Sequence, residues 1–158
     1  MLTWAWMHGA SRSTTEGALQ AMPYLLDTNI LVYAYQNRGG CRQRLDAHDP
    51  AQVHICPINI FEIERGIAKS ARPQALRLFL SATLSRHPLA PLDAAAAQCA
   101  GQLRATLERQ GQPIGPYDLL IAGIALVQGL TLVTHNTAEF ARVPGLALAD
   151  WYSDEPPA

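Results

Sequence analysis

Lysine is nearly missing from this chain of 158 residues: of its twelve basic side chains only Lys69 is a lysine and the rest are arginines. A reaction that needs a buried lysine therefore has one candidate. Charge of either sign is also scarce, at 16% of residues with a formal net charge of −1, so no bulk field draws in a polyanion and any nucleic-acid contact must be local. Cys41, Cys56 and Cys99 are odd in number, widely spaced and free of any C-x-x-C pair. That disfavours both a disulfide framework and a thiolate zinc site and fits a reducing, cytoplasmic setting. Long apolar runs are lacking as well. Leu119 to Val127, broken by Gly123, is about half the roughly 20 residues of a membrane-spanning helix and reads as a buried helix. The N-terminus shows no basic cluster followed by an apolar stretch, so no secretory signal is expected.

What the chain does have is apolar content, 49% of residues, enough for one continuous core in a single domain. Residues 1–21 are rich in Ser, Thr, Gly and Ala without a sustained period, and patterned sequence begins at Met22. Two readings stand for that segment: a flexible extension, or an upstream misassignment of a start that lies at Met22. The domain is expected over residues 22–152, with 153–158 as a tail.

Within that domain, Tyr24 to Asp27 predicts a short buried strand, and Thr28 to Tyr35 a helix closed by Gly39-Gly40. Val53 to Cys56 predicts a second strand. Pro57 and Asn59 introduce a helix with Ile60, Ile63 and Ile67 on one face. Gln74 to Leu84 places Leu76, Phe79, Leu80 and Leu84 at helical spacing, and Asp93 caps an alanine-rich helix reaching about Gln110. Pro116 opens a further helix through about Gln128, where its missing N–H costs nothing. Gly129, a strand from Leu130 to Thr134, a polar turn and a last strand from Leu146 to Ala149 complete the pattern. Strands alternating with helices predict an α/β fold in three layers, with a central, mainly parallel sheet covered on both faces. Ligands in such folds gather beyond the carboxyl ends of the strands. Asp27 and the turn from Thr134 to Glu139 fall there.

Four acids, Asp27, Glu62, Asp118 and Glu139, each stand beside apolar sequence instead of in a solvated charge run. Two carboxylates about 4 Å apart repel by roughly 4 kcal/mol at an effective dielectric near 20, so four together must protonate, separate or bind cations. Each acid also has a plainer reading. Asp27 can cap the following helix, and Glu62, Glu64 and Asp118 can be first-turn acids favoured by the helix dipole. Glu62 and Glu64 are two apart and point in different directions, and Glu62 is the choice for the site. Glu139 has a surface reading, and Asn136 competes with it for the inward position. Asn29 and Thr134 are candidates for positioning roles. Asp93 reads as a helix cap, and Asp46, Asp49, Asp150, Asp154 and Glu155 as solvated acids. A lone His135 reads as a surface residue, not a metal ligand. Arg38, Arg42 and Arg44 read as a solvated loop, with phosphate gripping as the rival view.

Leu25-Leu26-Asp27-Thr28-Asn29, Phe61-Glu62-Ile63-Glu64-Arg65-Gly66 and Ile114-Gly115-Pro116-Tyr117-Asp118-Leu119-Leu120-Ile121-Ala122 occur in this order, followed by Leu132-Val133-Thr134-His135-Asn136 through Glu139-Phe140, Val143-Pro144-Gly145-Leu146 and Trp151. The chain thereby resembles PIN-domain ribonucleases of the VapC toxin type, from about Met22 to Trp151. The resemblance implies an α/β/α PIN fold, dependence on Mg²⁺ or Mn²⁺, endonucleolytic cleavage of RNA with a 5′-phosphate product, a homodimer, and neutralisation by a VapB-like antitoxin. It implies Asp27, Glu62 and Asp118 as acidic site residues and metal ligands, with Glu139 as the fourth. Many relatives have an aspartate in the last motif where Asn136 or Glu139 stands here, which leaves the fourth position and a second ion open.

Three rivals stand beside this reading. An aspartyl-phosphate phosphatase needs a second Asp two residues after Asp27, where this chain has Asn29, and a lysine, for which only Lys69 is available. A nucleotide-binding Rossmann domain needs a G-x-G-x-x-G after the first strand, which is missing. A catalytically weak PIN-fold partner that acts mainly in an antitoxin-bound, DNA-binding complex is the non-enzymatic alternative.

Overall fold

The computed structural model describes residues 22–155. A four-stranded parallel sheet runs through its centre. Its strands are β1 (Tyr24–Leu26), β2 (Val53–His54), β3 (Thr131–Val133) and β4 (Leu148–Ala149), in the order β2-β1-β3-β4. Tyr24 lies opposite Val53 on one side and Thr131 on the other, and Leu132 opposite Leu148. The central pair, β1 and β3, is therefore the deepest, and the first acid follows β1 directly.

Side chains alternate across a strand, so neighbouring residues feed opposite layers. Leu25 and Leu132 join one core with Leu103 and Leu107 of α5 (Ala94–Arg109) and Ile121 and Ile124 of α6 (Pro116–Gln128). Leu26 and Val133 join the other. That second core holds Ile30 and Leu31 of α1 (Thr28–Tyr35), Leu45 of α2 (Cys41–Ala47), Ile63 and Ile67 of α3 (Pro57–Lys69), Leu80 of α4 (Pro73–Arg86), and Trp151. The result is the three-layer α/β/α arrangement expected from the alternating pattern. Among the described residues no helix is long and apolar enough to cross a membrane.

Several expectations need correction. Arg42 and Arg44 lie on α2 instead of in a loop. Cys41 and Leu45, four apart, bury one side of a helical turn, while Arg42 bonds Asp46 at 2.9 Å on the other. Arg38 remains outside the helix, with its guanidinium over the Tyr33 ring. On α3 the buried side is Ile58, Asn59, Ile63 and Ile67, with Ile60 only partly covered, because the helix begins at Pro57 and its first turn closes on β1. Leu84 is exposed, since α4 meets the core mainly through Leu80. The segment that predicts a polar turn contains a short helix, α7 (Thr137–Phe140), pinned by the fully buried Phe140. The strands are also shorter than their apolar runs. β2 ends at His54, after which Ile55 makes a single bridge to Leu89.

Candidate active site

Asp27 stands one residue beyond β1, its backbone N–H still bonded to Val133 O at 2.9 Å, so the sheet itself places this carboxylate at the strand's end. It is the N-cap of α1 and also faces inward. Oδ1 accepts the Thr28 N–H at 2.8 Å and Oδ2 accepts the Thr134 hydroxyl at 2.8 Å. The residue is only 4% exposed, and burial drives its pKa above the ordinary value against both of those hydrogen bonds, with Glu62 and Glu139 adding to the rise.

Glu62 reaches the same place from α3. Thr28 Oγ1 donates to Glu62 Oε1 at 2.7 Å while accepting from Asn59 Nδ2 at 3.0 Å. Asn59 has a second donor bond, to Leu26 O at 3.1 Å, and its own oxygen accepts Cys56 N–H at 2.8 Å. These bonds fix a direction. Because Thr28 receives a proton donor from Asn59, its single hydroxyl hydrogen is committed to Glu62. Thr28 and Asn59 were not singled out from sequence. The available signal was Asn59 three residues after Cys56, the spacing of a capping pair at a helix start. Glu64 faces elsewhere, toward Arg77 on the exposed side.

Asp118 and Glu139 form the opposite wall. Glu139 Oε1 accepts Gly115 N–H at 3.0 Å and Oε2 accepts Asn136 Nδ2 at 2.6 Å. Those bonds, the amide of Asn136 first, hold Glu139 below the usual glutamate range. Asn136 in turn donates its backbone N–H to Thr134 Oγ1 at 3.0 Å. Thr134, fully buried, thus ties Asp27 to the last motif. Asn136 is the brace and Glu139 the acid that lies beside Asp118.

Asp118 sits in the first turn of α6, where a helix dipole favours the charged form. The surroundings outweigh it. Desolvation first, then the charges of Asp27, Glu139 and Glu62, push its carboxyl up to about 7, and it shares a hydrogen bond with Glu139. All four acids therefore act on one electrostatic centre.

The remaining predicted residues fall outside it. Asn29 is exposed and its side chain bonds none of the acids, because α1 turns it roughly 100° away from Thr28. His135 bonds Asp150 at 2.9 Å on the surface and packs against Tyr152. Cys56 caps α3 with its thiol pushed up to about 11 by burial, so it is a neutral core group near neutral pH.

As for a cation, the donors are all carboxylate oxygens, which suit a hard divalent ion. Neither Asp27 nor Asp118 has a basic side chain among the groups that shift it. Among the described residues no three His, Cys, Asp or Glu side chains are already arranged to hold a metal ion. Burial and the neighbouring charges favour the protonated form of Asp118, which lessens the repulsion among the acids. The donor chemistry fits Mg²⁺ or Mn²⁺, and binding would require Asp118 to lose its proton.

Comparison with known proteins agrees with this architecture. The PIN domain family matches residues 24–146. The tRNA(fMet)-specific endonuclease VapC of Shigella flexneri is 39% identical over 131 residues, covering 82% of this chain and 98% of that protein. Ribonuclease VapC2 of Rickettsia felis is 37% identical over 133 residues, again covering 82% and 98%. Among solved structures, DNA-bound VapBC from Salmonella typhimurium superposes with a TM-score of 0.76 at 36% identity, covering 82% of this chain and 98% of that one. VapBC2 from Rickettsia felis, bound to a fragment of its promoter, does so with a TM-score of 0.74 at 34% identity, covering 82% and 99%. The sheet order, the coupled acids and these matches together show that this chain belongs to the PIN-domain family and, within it, to the VapC group.

Proposed function

We propose that this protein is a Mg²⁺-dependent endoribonuclease, with Mn²⁺ as the substitute ion, and the toxin of a VapBC-type toxin–antitoxin pair. One observation carries the chemistry: Asp27 at β1's end, Glu62 of α3 and Glu139 of α7 are tied together through Thr28, Thr134 and Asn136, and Asp118 of α6 lies beside Glu139 at Gly115, all at the carboxyl edge of the sheet. The relatives' names, ribonuclease and endonuclease, support the reaction class, and the VapBC complexes support a VapB-like antitoxin as partner. We assign Asp27, Glu62, Asp118 and Glu139 as the acids that hold the ion. Thr28 and Thr134 orient Glu62 and Asp27, and Asn136 orients Glu139.

A divalent ion bound there supplies a water of lowered pKa as nucleophile and offsets charge growing on the phosphate oxygens. The protein's own part is positional. Asp27 has both oxygens anchored by fixed donors, so it keeps one orientation whatever its charge. Asp118, with its carboxyl near 7, can release its proton close to neutral pH and become a ligand. The hydroxyl of Thr28, committed to Glu62, keeps that carboxylate turned toward Asp27's side of the site.

The test is cleavage of structured RNA by protein freed of its antitoxin, with Mg²⁺ present and then with EDTA added. Wild type should cut and EDTA should stop it. Asp27→Asn should reduce cutting to background with little change in thermal stability, because Asn also caps helices and keeps the side chain's shape. Full activity in that variant would refute the assignment. Failure of wild type to cut tRNA, rRNA or mRNA pools would favour the reading of a binding partner, which the DNA-bound VapBC neighbours make the specific alternative.

A further inference from the structure

The residue before Glu62 is Phe61 and the residue before Asp118 is Tyr117, and these two aromatics meet across α3 and α6 with ring centroids 5.2 Å apart at 51°. Their exposures are 49% and 45%. Neither ring belongs to either hydrophobic core, so burial does not account for them. Single exposed apolar residues are ordinary. Two large rings from different helices, in contact with each other and each next in sequence to a site acid, though turned about 100° from it around the helix, form one exposed aromatic patch.

We infer that Phe61 and Tyr117 form a stacking platform for one unpaired base of the RNA, beside the phosphate that is cut. This rests on the ribonuclease reading and specifies how its substrate is held. The acidic centre cannot attract RNA by charge, and the chain's net charge of −1 supplies no general attraction. Contacts that do not depend on positive charge then add to whatever local arginine contacts the phosphates receive. Base stacking on aromatic side chains is such a contact, strong in single-stranded segments and tolerant of base identity. A base held on this pair lies near Glu62 and Asp118, because each ring is the sequence neighbour of one of those acids, in the second turn of α3 and the first turn of α6. The pair thus selects unpaired over paired RNA at the cut and sets the distance of cleavage from the stacked base.

The test uses two readouts, so that the nuclease reading and the platform can fail separately. In the full-length Asp27→Asn protein, which leaves the rings intact, an RNA oligonucleotide carrying 2-aminopurine beside the cleavage site should lose fluorescence on binding. Adding Phe61→Ala and Tyr117→Ala should remove that quenching and weaken binding by about five- to a hundredfold. In active protein the same pair of substitutions should raise KM by a similar factor for single-stranded RNA. Phe61→Tyr and Tyr117→Phe, which keep the rings, should restore both readouts. An abasic nucleotide at the stacked position should impair wild type and leave the double variant unaffected. Quenching in the inactive protein without cleavage by wild type would sink the nuclease reading and keep the platform as a binding site. Unchanged binding and unchanged quenching in the double variant would overturn the platform. So would a double variant that binds RNA normally but changes oligomeric state or loses its antitoxin, since the rings would then be a protein contact.

Discussion

Asp118 has a carboxyl pushed up to about 7 by burial and by the charges of three other acids, although it occupies a helix turn that favours negative charge. Asparagine reproduces its neutral form and can donate to Glu139 in the same way. Asp118→Asn should therefore raise the melting temperature of the metal-free protein at about pH 8, where the wild-type carboxyl has ionised against its neighbours, while removing cleavage. Thermal unfolding with EDTA present, paired with an RNA assay, checks both halves. A melting temperature that falls instead would show that the charged carboxylate is stabilised by something other than a metal. The difference between Glu62 and Glu64 is likewise a single-residue matter. A rotation of about 200° along the helix separates them, and only Glu62 meets the hydroxyl that Asn59 has oriented.

At the scale of elements, α6 brings Asp118 to the sheet edge only because it can lie close against α5. Gly123 is a point of close approach between them. A Cβ there would stand 2.6 Å from Ala96 O and 3.0 Å from the Ala100 Cβ. Gly123→Ala should force the two helices apart and cost about 1 to 3 kcal/mol of stability, read from the midpoint of denaturant unfolding. Since α6 would move with Asp118 on its first turn, cleavage should fall by more than the loss of folded protein explains. An unchanged midpoint would mean that the helices have slack which the packing does not show. The short helix α7 depends on an anchor in the same way. Phe140, wholly buried, contributes roughly 1.5 to 3 kcal/mol by its transfer from water and keeps the preceding Glu139 against Gly115.

For the molecule as a whole, the acidic centre links stability to pH. Asp118 binds its proton more tightly folded than unfolded, so its contribution is complete below its ordinary value of 3.8 and is lost as pH rises through about 7. Asp27, also raised, acts in the same direction. Glu139, held low, contributes the other way, with stability present above its ordinary 4.5 and lost as pH falls below that. Metal-free protein should accordingly lose melting temperature between about pH 5 and about pH 8. Saturating Mg²⁺ should recover more at the upper end than at the lower, since the ion binds the ionised acids. Calorimetry at both ends with and without Mg²⁺ measures this. Equal Mg²⁺ effects at the two pH values would argue against ion binding at these carboxylates.

Much of this was readable in the sequence. Apolar runs of strand and helix length, broken by Pro57, Pro116 and Gly129, specify the order of the elements and hence a parallel sheet, because local backbone preference and hydrophobic period act over a few residues. The motifs around Asp27, Glu62, Asp118 and Glu139 pointed to four acids that the fold does bring to one sheet edge. The helix at Arg42 and Arg44 was hidden, since its two buried residues are too few to establish a period. The placing of Glu139 beside Asp118, the turning away of Asn29 and the bonds of Thr28 to Glu62 and of Asn59 to Thr28 belonged to tertiary structure alone. Each depends on which way a side chain points after strands and helices distant in the chain have packed, and on how much water that packing removes. The same holds for the proton on Asp118: the sequence by itself determined that a carboxylate stands at that position, and only the converging burial and charge of β1, α3 and α7 decided that its pKa lies near neutrality.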